Sequence, residues 1–296
     1  MVSSDKVSRL LTGAIDSHVH SGPGLIPRSV DHVQAARDAI DAGMRAIVVK
    51  DQHSMTCHSV YFIKNYILKD APLDIFGGLV LNNAAGGISP HAVDGAIKSG
   101  AKIIWMPTAS AENHIESHKR DAHMEFPKTR EKLLDEIPLK IIDKNGELLP
   151  RISQICSLIA DADIILGSGH LYLDEIKLLV DEALKQGVKK ILLQHPEFMI
   201  NATIDEMIEF ADKGAFIEHS MAHYVIGTIE KEYLLEMVRK VGAERTVLGS
   251  DLGQTSNPIP IEGIRKCVEI MLEIGISEEE IHLMIRENPA KLLNLQ

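Results

Sequence analysis

Short apolar runs alternate with amphipathic helical segments along the whole chain, and most of the runs follow a glycine. The segment from Gly43 to Lys50 is one example, and the segment from Gly187 to His195 repeats its form. Glycine just past a helix end adopts the left-handed conformation without steric cost. A short run that is apolar throughout is typical of a strand buried on both faces, as in a parallel sheet. The pattern predicts eight strands, at about 14–20, 46–50, 75–82, 101–107, 164–170, 190–195, 215–219 and 246–251.

Start signals for helices stand between these runs. Ser29 is a candidate N-cap before apolar positions at helical spacing, and Ser89 precedes Pro90 at a first helical position. Thr203 and Ser277 each precede a glutamate by three residues, which is the capping-box pattern. Strands that alternate with helices over short links predict parallel strands joined by right-handed crossovers.

The fold class that these elements favour is α/β, as a closed (β/α)8 TIM barrel. An open doubly wound sheet also fits the alternation. Eight successive strand–helix units with the same pattern favour a closed barrel over the open sheet. The 296 residues are expected to form one domain, 1–296, which is an ordinary length for such a barrel. One long connection, 108–163, separates strands four and five. It contains a predicted hairpin at 141–149, around an Asn-Gly turn, and a helix that begins at Pro150.

Charge, hydropathy and cysteine usage narrow the classes of function. The formal net charge is −11, so the average field would repel a phosphate backbone, and no nucleic-acid partner is expected. No apolar run reaches the roughly 20 residues that span a bilayer, so no membrane partner is expected either. Three widely spaced cysteines without a CxxC pair favour a reducing, cytoplasmic location. The expected partner is a small-molecule substrate. The protein could also form a homo-oligomer.

Polar side chains able to bind metal or transfer protons concentrate at the predicted carboxyl ends of the strands, where TIM barrels form active sites. Residues two apart on a strand point to the same face, so the imidazoles of His18 and His20 can reach one ion. Each motif alone has a plainer explanation, such as a helix cap or a core histidine, but their joint placement favours a site. The strand-end residues are His18, His20, Lys50, His53, Asn82, Thr108, His170, His195, Glu218, His219 and Asp251.

This ordered set resembles the metal signature of the amidohydrolase superfamily, which has HxH on strand one, His on strands five and six, and Asp on strand eight. The closing segment 287–293 also looks like that superfamily's C-terminal helix. The resemblance implies a metal-dependent hydrolase that activates water for attack on an amide, ester, lactone or phosphoester. It implies a divalent transition metal, with Zn favoured and Mn or Fe as alternatives. The implied metal ligands are His18, His20, His170, His195 and Asp251.

In this resemblance Asp251 accepts the proton of the water, and His195 is the other candidate catalytic residue. Binuclear members carry a bridging carboxylated lysine or a glutamate at the end of strand four, where this chain has Met106-Pro107-Thr108. One ion is therefore expected rather than two, with His195 as an acid–base or charge-stabilising group instead of a second-metal ligand. A carbamate on Lys50, or Glu112 reaching in from the long loop, would supply a bridge.

Four further side chains near the predicted mouth are candidates for substrate binding. Arginine suits bidentate anion binding, so Arg28 could hold a carboxylate or a phosphate, and Lys50 could pair with a substrate anion. Glu218 and His219 alternate in direction on strand seven, so only one of them should face the interior. The four candidates are Lys50, His53, Arg28 and His219.

The long connection carries three histidines in a charged stretch, His114, His118 and His123. A solvated helix or lid is the expected setting for them, rather than a second metal site. Three other functions fit parts of the pattern: a metal-dependent decarboxylase of the same superfamily, a phosphoesterase of the polymerase-and-histidinol-phosphatase type with three metals, and a barrel without catalysis. The decarboxylase would use Arg28 and Lys50 to bind a carboxylate.

Overall fold

The computed structural model describes residues 2–120 and 128–296, so that His123 lies outside the described residues. Eight strands alternate with α-helices within these ranges. The strands are β1 (Ile15–Val19), β2 (Ala46–Val49), β3 (Asp74–Val80), β4 (Ile103–Trp105), β5 (Ile165–Gly167), β6 (Ile191–Gln194), β7 (Phe216–Ser220) and β8 (Thr246–Gly249). The α-helices are α1 (Ser4–Leu11), α2 (His32–Asp41), α3 (Cys57–Phe62), α4 (Pro90–Lys98), α5 (Glu112–Arg120), α6 (Pro150–Ala162), α7 (Leu173–Lys185), α8 (Ile204–Asp212), α9 (Met221–Val225), α10 (Lys231–Val241), α11 (Pro260–Glu273), α12 (Glu278–His282) and α13 (Asn288–Leu293).

The eight parallel strands form one closed barrel. Each strand pairs with the next along the chain, in the order β1 to β8. The ends of β8 and β1 are joined by two backbone hydrogen bonds. The N–H of His20 donates to the carbonyl of Leu252 at 2.9 Å, and the N–H of Asp251 donates to the carbonyl of His18 at 2.8 Å. The predicted (β/α)8 barrel and all eight of its strands are therefore confirmed, and the open sheet is excluded.

The predicted helix starts are confirmed with one exception. In each confirmed case the side chain of the cap accepts a hydrogen bond from a backbone N–H of the first turn. The prediction of Ser29 as a cap is wrong, because α2 begins at His32 and the carboxylate of Asp31 caps it. Ser29 lies in the preceding loop, where its N–H donates to the carbonyl of Gly253 at 2.9 Å. The confirmed caps are Ser89, Thr203 and Ser277.

Trp105 fills the inside of the barrel and is 1% exposed. Gly78 and Gly167 make room for its indole, since a Cβ atom at either position would lie 2.7 or 2.5 Å from ring atoms. The same inner cluster includes Ala290, Leu292 and Leu293 of α13. The final helix thus covers the amino-terminal end of the barrel, and the carboxyl end stays available for a site.

The connection between β4 and β5 contains α5, the predicted hairpin and α6. Ile142 and Leu148 form an antiparallel bridge, and the N–H of Asp143 donates to the carbonyl of Glu147 at 2.8 Å. Both the hairpin and the start of α6 at Pro150 are as predicted. In the described ranges, no helix combines the length and the apolar character that crossing a bilayer requires.

Candidate metal centre

An irregularity in β1 brings the neighbouring side chains of Ser17 and His18 into contact with the same residue, Glu218. The pairing register of β1 with β2 shifts between Asp16 and Val19. A bulge of this kind bends the strand and re-aims its side chains. As a result Ser17 and His18 both reach Glu218 of β7. The hydroxyl of Ser17 donates to Oε2 at 2.9 Å, and Nδ1 of His18 lies 2.7 Å from Oε1.

Asp16 ties the ends of β1 and β8 together below the site. Its Oδ1 atom accepts hydrogen bonds from the N–H of His18 at 3.1 Å and from the N–H of Ser250 at 2.9 Å. Burial raises the pKa of this carboxyl to about 7. Asp16 therefore holds the first predicted ligand against the loop that carries Asp251.

Three of the predicted ligands converge on one point at the carboxyl end of the barrel. Oδ1 of Asp251 lies 3.2 Å from Nε2 of His18 and 3.0 Å from Nε2 of His20. The two imidazoles are 1% and 3% exposed, whereas the carboxylate is 16% exposed and faces the mouth. The hydroxyl of Ser220 donates to Oδ2 of Asp251 at 2.8 Å. We call His18, His20 and Asp251 the mouth cluster; their ligand atoms lie within 4.8 Å of one another.

The hydrogen bonds of His20 identify which ring nitrogen faces Asp251 with a lone pair. Nδ1 of His20 lies 3.0 Å from the carbonyl oxygen of Lys50. A carbonyl only accepts, so Nδ1 carries the hydrogen and Nε2 of the neutral ring is an acceptor. Burial, followed by the positive charge of Arg28, lowers the pKa of His20 to about 4. The neutral ring and the carboxylate therefore face each other as two acceptors, which suits a cation between them.

His18 offers the same kind of donor atom to the mouth cluster. Burial lowers the pKa of His18 to about 3, which favours its neutral form. Its Nδ1 atom is engaged by Glu218, so Nε2 is the atom that faces Asp251. Two neutral imidazoles with one carboxylate are the ligands that Zn and similar divalent ions prefer. The residues present therefore fit the ion that the resemblance implies.

Lys50 lies between the mouth cluster and the barrel core. Its Nζ atom is 3.2 Å from Nε2 of His18 and 5.3 Å from the centre of the Trp105 ring. The side chain is 2% exposed, and burial lowers the pKa of its ammonium group to about 8. A strand-end lysine exposed to solvent is thus excluded, and Lys50 is a buried cation next to the first histidine.

His170 and His195 lie beside the mouth cluster and not within it. The ring centres of His18 and His195 are 6.3 Å apart, and those of His195 and His170 are 4.9 Å apart. Gly169 places His170 here, because its φ of 63° allows the N–H of His170 to donate to the carbonyl of Pro107 at 2.9 Å. The structure thus brings three of the five predicted ligands together and sets the other two next to them. Their part in metal binding stays a prediction.

His195 and Asp251 share an uncommon backbone conformation. Their φ angles are 32° and 52°, in the left-handed region that residues other than glycine seldom adopt. Backbone hydrogen bonds hold both, from the N–H of His195 to the carbonyl of Glu218 at 2.6 Å and from the N–H of Asp251 to the carbonyl of His18. Such conformations are concentrated at functional sites, where they turn the chain sharply at a strand end.

His114 of α5 packs against His170 from the long connection. Their Nδ1 atoms are 2.7 Å apart, so one ring donates to the other, and the rings stack with centres 4.9 Å apart. The amide of Asn113 donates to the carbonyl of His170 at 3.2 Å and holds α5 at the mouth. The prediction of a solvated helix is therefore wrong for His114, which is 4% exposed. The available signal in the sequence was the apolar residue Ala111, three residues before His114 at helical spacing.

Strand β7 directs Glu218 into the barrel and His219 away from it. Glu218 contacts His18, whereas Nδ1 of His219 lies 3.0 Å from Oε1 of Glu197, and both of these side chains are fully buried. The role of His219 in substrate binding stays a prediction, from a position outside the mouth cluster. Glu218 is the functional candidate that the sequence reasoning left unassigned. Its position two residues after Phe216, which packs on the inner core, was the available signal.

Arg28 and His53 line different cavities near the mouth. Arg28 lines a cavity of about 550 Å³ that Ile26 and Arg130 also line. His53 lines a cavity of about 520 Å³ with Met55, and its N–H donates to Oδ1 of Asp51 at 2.8 Å. Each residue thus lines a cavity of its own, and the part of both in substrate binding stays a prediction.

Solved structures with the same fold include three enzymes. An amidohydrolase from Pseudomonas aeruginosa is 14% identical, with a TM-score of 0.66 over 99% of this chain and 98% of that chain. A variant of an organophosphorus hydrolase is 14% identical, with a TM-score of 0.61 over 96% and 93% of the two chains. A 2,6-dihydroxybenzoate decarboxylase bound to 2,6-dihydroxybenzoate is 12% identical, with a TM-score of 0.53 over 95% and 98%.

These likenesses establish the fold, which is the fold that the resemblance to the amidohydrolase superfamily implied. No curated protein sequence matches the chain significantly. Residues 13–218, which include both histidines of the mouth cluster and Glu218, match a family that is described only as one of unknown function. The chain therefore belongs to the family of unknown function DUF6282.

Proposed function

We propose that this protein is a metal-dependent hydrolase that binds one divalent transition-metal ion, with Zn favoured, and acts on a small molecule. One observation carries the proposal: two buried neutral imidazoles and the Oδ1 atom of Asp251 converge as acceptors at 3.0–3.2 Å. Burial disfavours a second proton on either ring, and the ammonium group of Lys50, 3.2 Å from Nε2 of His18, is the donor that a bound ion would replace there. The fold, which is shared with an amidohydrolase and an organophosphorus hydrolase, supports the same reading.

Asp251 is the residue we assign to proton transfer. A divalent ion bound by the mouth cluster would polarise the substrate and lower the pKa of water to about 7. Burial opposes ionisation of Asp251, but the positive charges of Lys50 and Arg28 attract its carboxylate and favour the ionised form. The carboxylate is therefore ionised and partly exposed, and the hydroxyl of Ser220 fixes its Oδ2 atom. It would accept a proton at the mouth and release it to the leaving group.

His195 is the residue we assign to charge stabilisation. Its Nδ1 atom is buried and has no hydrogen-bond partner in the described ranges. Burial lowers the pKa of its ring to about 4, so it would present a neutral N–H donor to an oxygen that gains charge. His170 would be the remaining ligand of a single ion. The end of β4 supports one ion, because Thr108 there accepts from the amide of Asn82 and offers no carboxylate.

Metal analysis combined with turnover tests this proposal. We expect about one zinc, manganese or iron per chain, and hydrolysis of at least one member of a panel of esters, lactones, amides and phosphoesters. Asp251→Asn should lower turnover by about 10²- to 10⁴-fold while the far-UV circular dichroism is unchanged. Asp143→Asn in the hairpin is the matched control and should keep full turnover. Full activity of Asp251→Asn, or an inert metal-loaded protein, would contradict the proposal.

Two alternatives share the mouth cluster and are separated by direct measurements. A decarboxylase of the same superfamily would release CO2 from aromatic or unsaturated acids. It would hydrolyse none of the esters, lactones, amides and phosphoesters in the panel. A phosphoesterase with three metals would bind about three ions per chain. The described ranges hold one group of three candidate ligands, which supports a lower metal count.

A further inference from the structure

One edge of the Arg28 guanidinium is buried and unpaired. Its Nε and Nη2 atoms are inaccessible to solvent, and neither has a hydrogen-bond partner among the described residues. The hydrogens on these two atoms point the same way and form the side-on fork that matches two oxygens of one oxyanion. Donors that are buried without a partner cost free energy, so an edge of this kind suits a ligand that arrives with its own acceptors.

The loop that carries Arg28 is fixed at its base and against the loop that carries Asp251. The N–H of Gly22 donates to the carbonyl of Val30 at 2.9 Å and closes the base of the loop. The N–H of Ser29 donates to the carbonyl of Gly253 at 2.9 Å, and Arg28 itself bridges to Gln254. The backbone of Arg28 is therefore held in place before any ligand binds, which lowers the entropic cost of binding.

The charges around Arg28 favour a singly charged anion. Lys50 is the other buried cation at the mouth, and Asp51 and Asp251 are the carboxylates whose charges reach Arg28. Neither carboxylate forms an ion pair with Arg28 within 4.0 Å in the described part of the chain. Asp51 and Asp251 repel an anion at the Arg28 edge, and they repel a dianion such as phosphate about twice as strongly as a singly charged carboxylate.

We propose that Arg28 recognises a carboxylate on the substrate through its Nε and Nη2 atoms. The inference rests on the proposed function and deepens it, because it places the anchoring group of the substrate beside the mouth cluster. With a chain charge of −11, general attraction of anions does not explain a guanidinium edge that is buried and unpaired. Arg28 is thus a specificity-determining residue, and substrates without a carboxylate should be poor ones.

Calorimetric titration with acetate, succinate and benzoate tests the inference. Titration with inorganic phosphate tests the alternative that Arg28 binds a phosphate group. We expect the best carboxylate to bind Arg28→Gln about tenfold or more weakly than the unchanged protein. Arg28→Lys should recover only part of the loss, because lysine lacks the fork. Arg130→Gln is the matched control: Arg130 lines the same cavity but is exposed, and its substitution should change affinity by less than about twofold.

The same titrations on metal-loaded and chelator-treated protein separate this inference from the proposed function. Binding that depends on Arg28 should persist after the metal is removed, because the fork belongs to the chain itself. Carboxylate affinities that are equal in Arg28→Gln and in the unchanged protein would overturn the inference, and so would tighter Arg28-dependent binding of phosphate. A protein that binds carboxylates through Arg28 but holds no metal would leave the inference standing and refute the hydrolase proposal.

Discussion

Replacing Glu218 by glutamine should weaken metal binding without unfolding the protein. Glu218 accepts hydrogen bonds from the Nδ1 edge of His18 at 2.7 Å and from the hydroxyl of Ser17 at 2.9 Å, and the His18–Glu218 pair is 1% exposed on each side. Glutamine has the same shape and keeps one acceptor oxygen. Burial raises the pKa of the Glu218 carboxyl to about 7, so above that pH the substitution removes a negative charge that makes the imidazole a stronger ligand and orients its ring.

The size of the effect follows from these contacts. Partners of metal-ligating histidines typically contribute about 10- to 100-fold to metal affinity. Each tenfold factor corresponds to about 1.4 kcal/mol, so the expected loss is about 1.4–2.7 kcal/mol. Exchanging a charge-assisted hydrogen bond of about 1.5–3 kcal/mol for a neutral one of about 0.5–1.5 kcal/mol accounts for about 1–1.5 kcal/mol, the lower part of that range.

Competition with a chromogenic zinc chelator measures this loss directly. Glu197→Gln is the matched control, because Glu197 forms the same kind of buried contact with Nδ1 of His219, at 3.0 Å, outside the mouth cluster. We expect a change of less than about threefold for Glu197→Gln, and thermal unfolding of the metal-free variants should confirm that both fold. Equal zinc affinities of Glu218→Gln and the unchanged protein, or equal losses in both variants, would refute the reasoning.

Three further substitutions probe other parts of the structure. His114→Leu should weaken zinc binding about tenfold, because His170 loses the partner of its Nδ1 atom; an unchanged affinity in the chelator assay would count against His170 as a ligand. Gly253→Ala should cost about 3 kcal/mol or more in urea unfolding, since the φ angle is 127° and the new Cβ would lie 1.5 Å from the carbonyl oxygen of His20; a cost below about 1 kcal/mol would contradict this. Burial lowers the pKa of His32 to about 4 in the folded protein, so below pH 6.5 only the unfolded chain gains its proton and stability falls as the pH falls. Urea unfolding of the metal-free protein between pH 6 and 4.5 should show a slope about 1 kcal/mol per pH unit shallower in His32→Asn, and identical slopes would contradict the shift.

The barrel could be predicted from the sequence because local signals mark nearly every unit. Glycines such as Gly43 and Gly187 end helices with positive φ angles of 72° and 87°, and the apolar runs after them are short and continuous. His18, His20 and Asp251 could be predicted as neighbours for a related reason. They stand at the ends of the first and last strands, which become adjacent when the barrel closes.

Other parts of the site depend on geometry that a strand pattern does not contain. Simple alternation along β1 would separate Ser17 from His18, and the shift in register between Asp16 and Val19 is what lets both reach Glu218. The same limitation left the choice between Glu218 and His219 open. That choice depends on which face of β7 points into the barrel.

The long connection was the least predictable part of the site. Its charged composition predicted exposure, yet hydrogen bonds from Asn113 fix α5 at the mouth and bury His114 against His170. Arg28 could be proposed as an anion-binding residue from its chemistry alone. Its unpaired fork depends on the distance to Asp51 and Asp251, which only the folded arrangement defines.

Anomalous diffraction from zinc-reconstituted crystals tests the central claim most directly. The account predicts a single peak about 2.0–2.2 Å from Nε2 of His18, Nε2 of His20 and a carboxylate oxygen of Asp251. A peak elsewhere on the chain, or no peak at the mouth cluster after reconstitution, would contradict it.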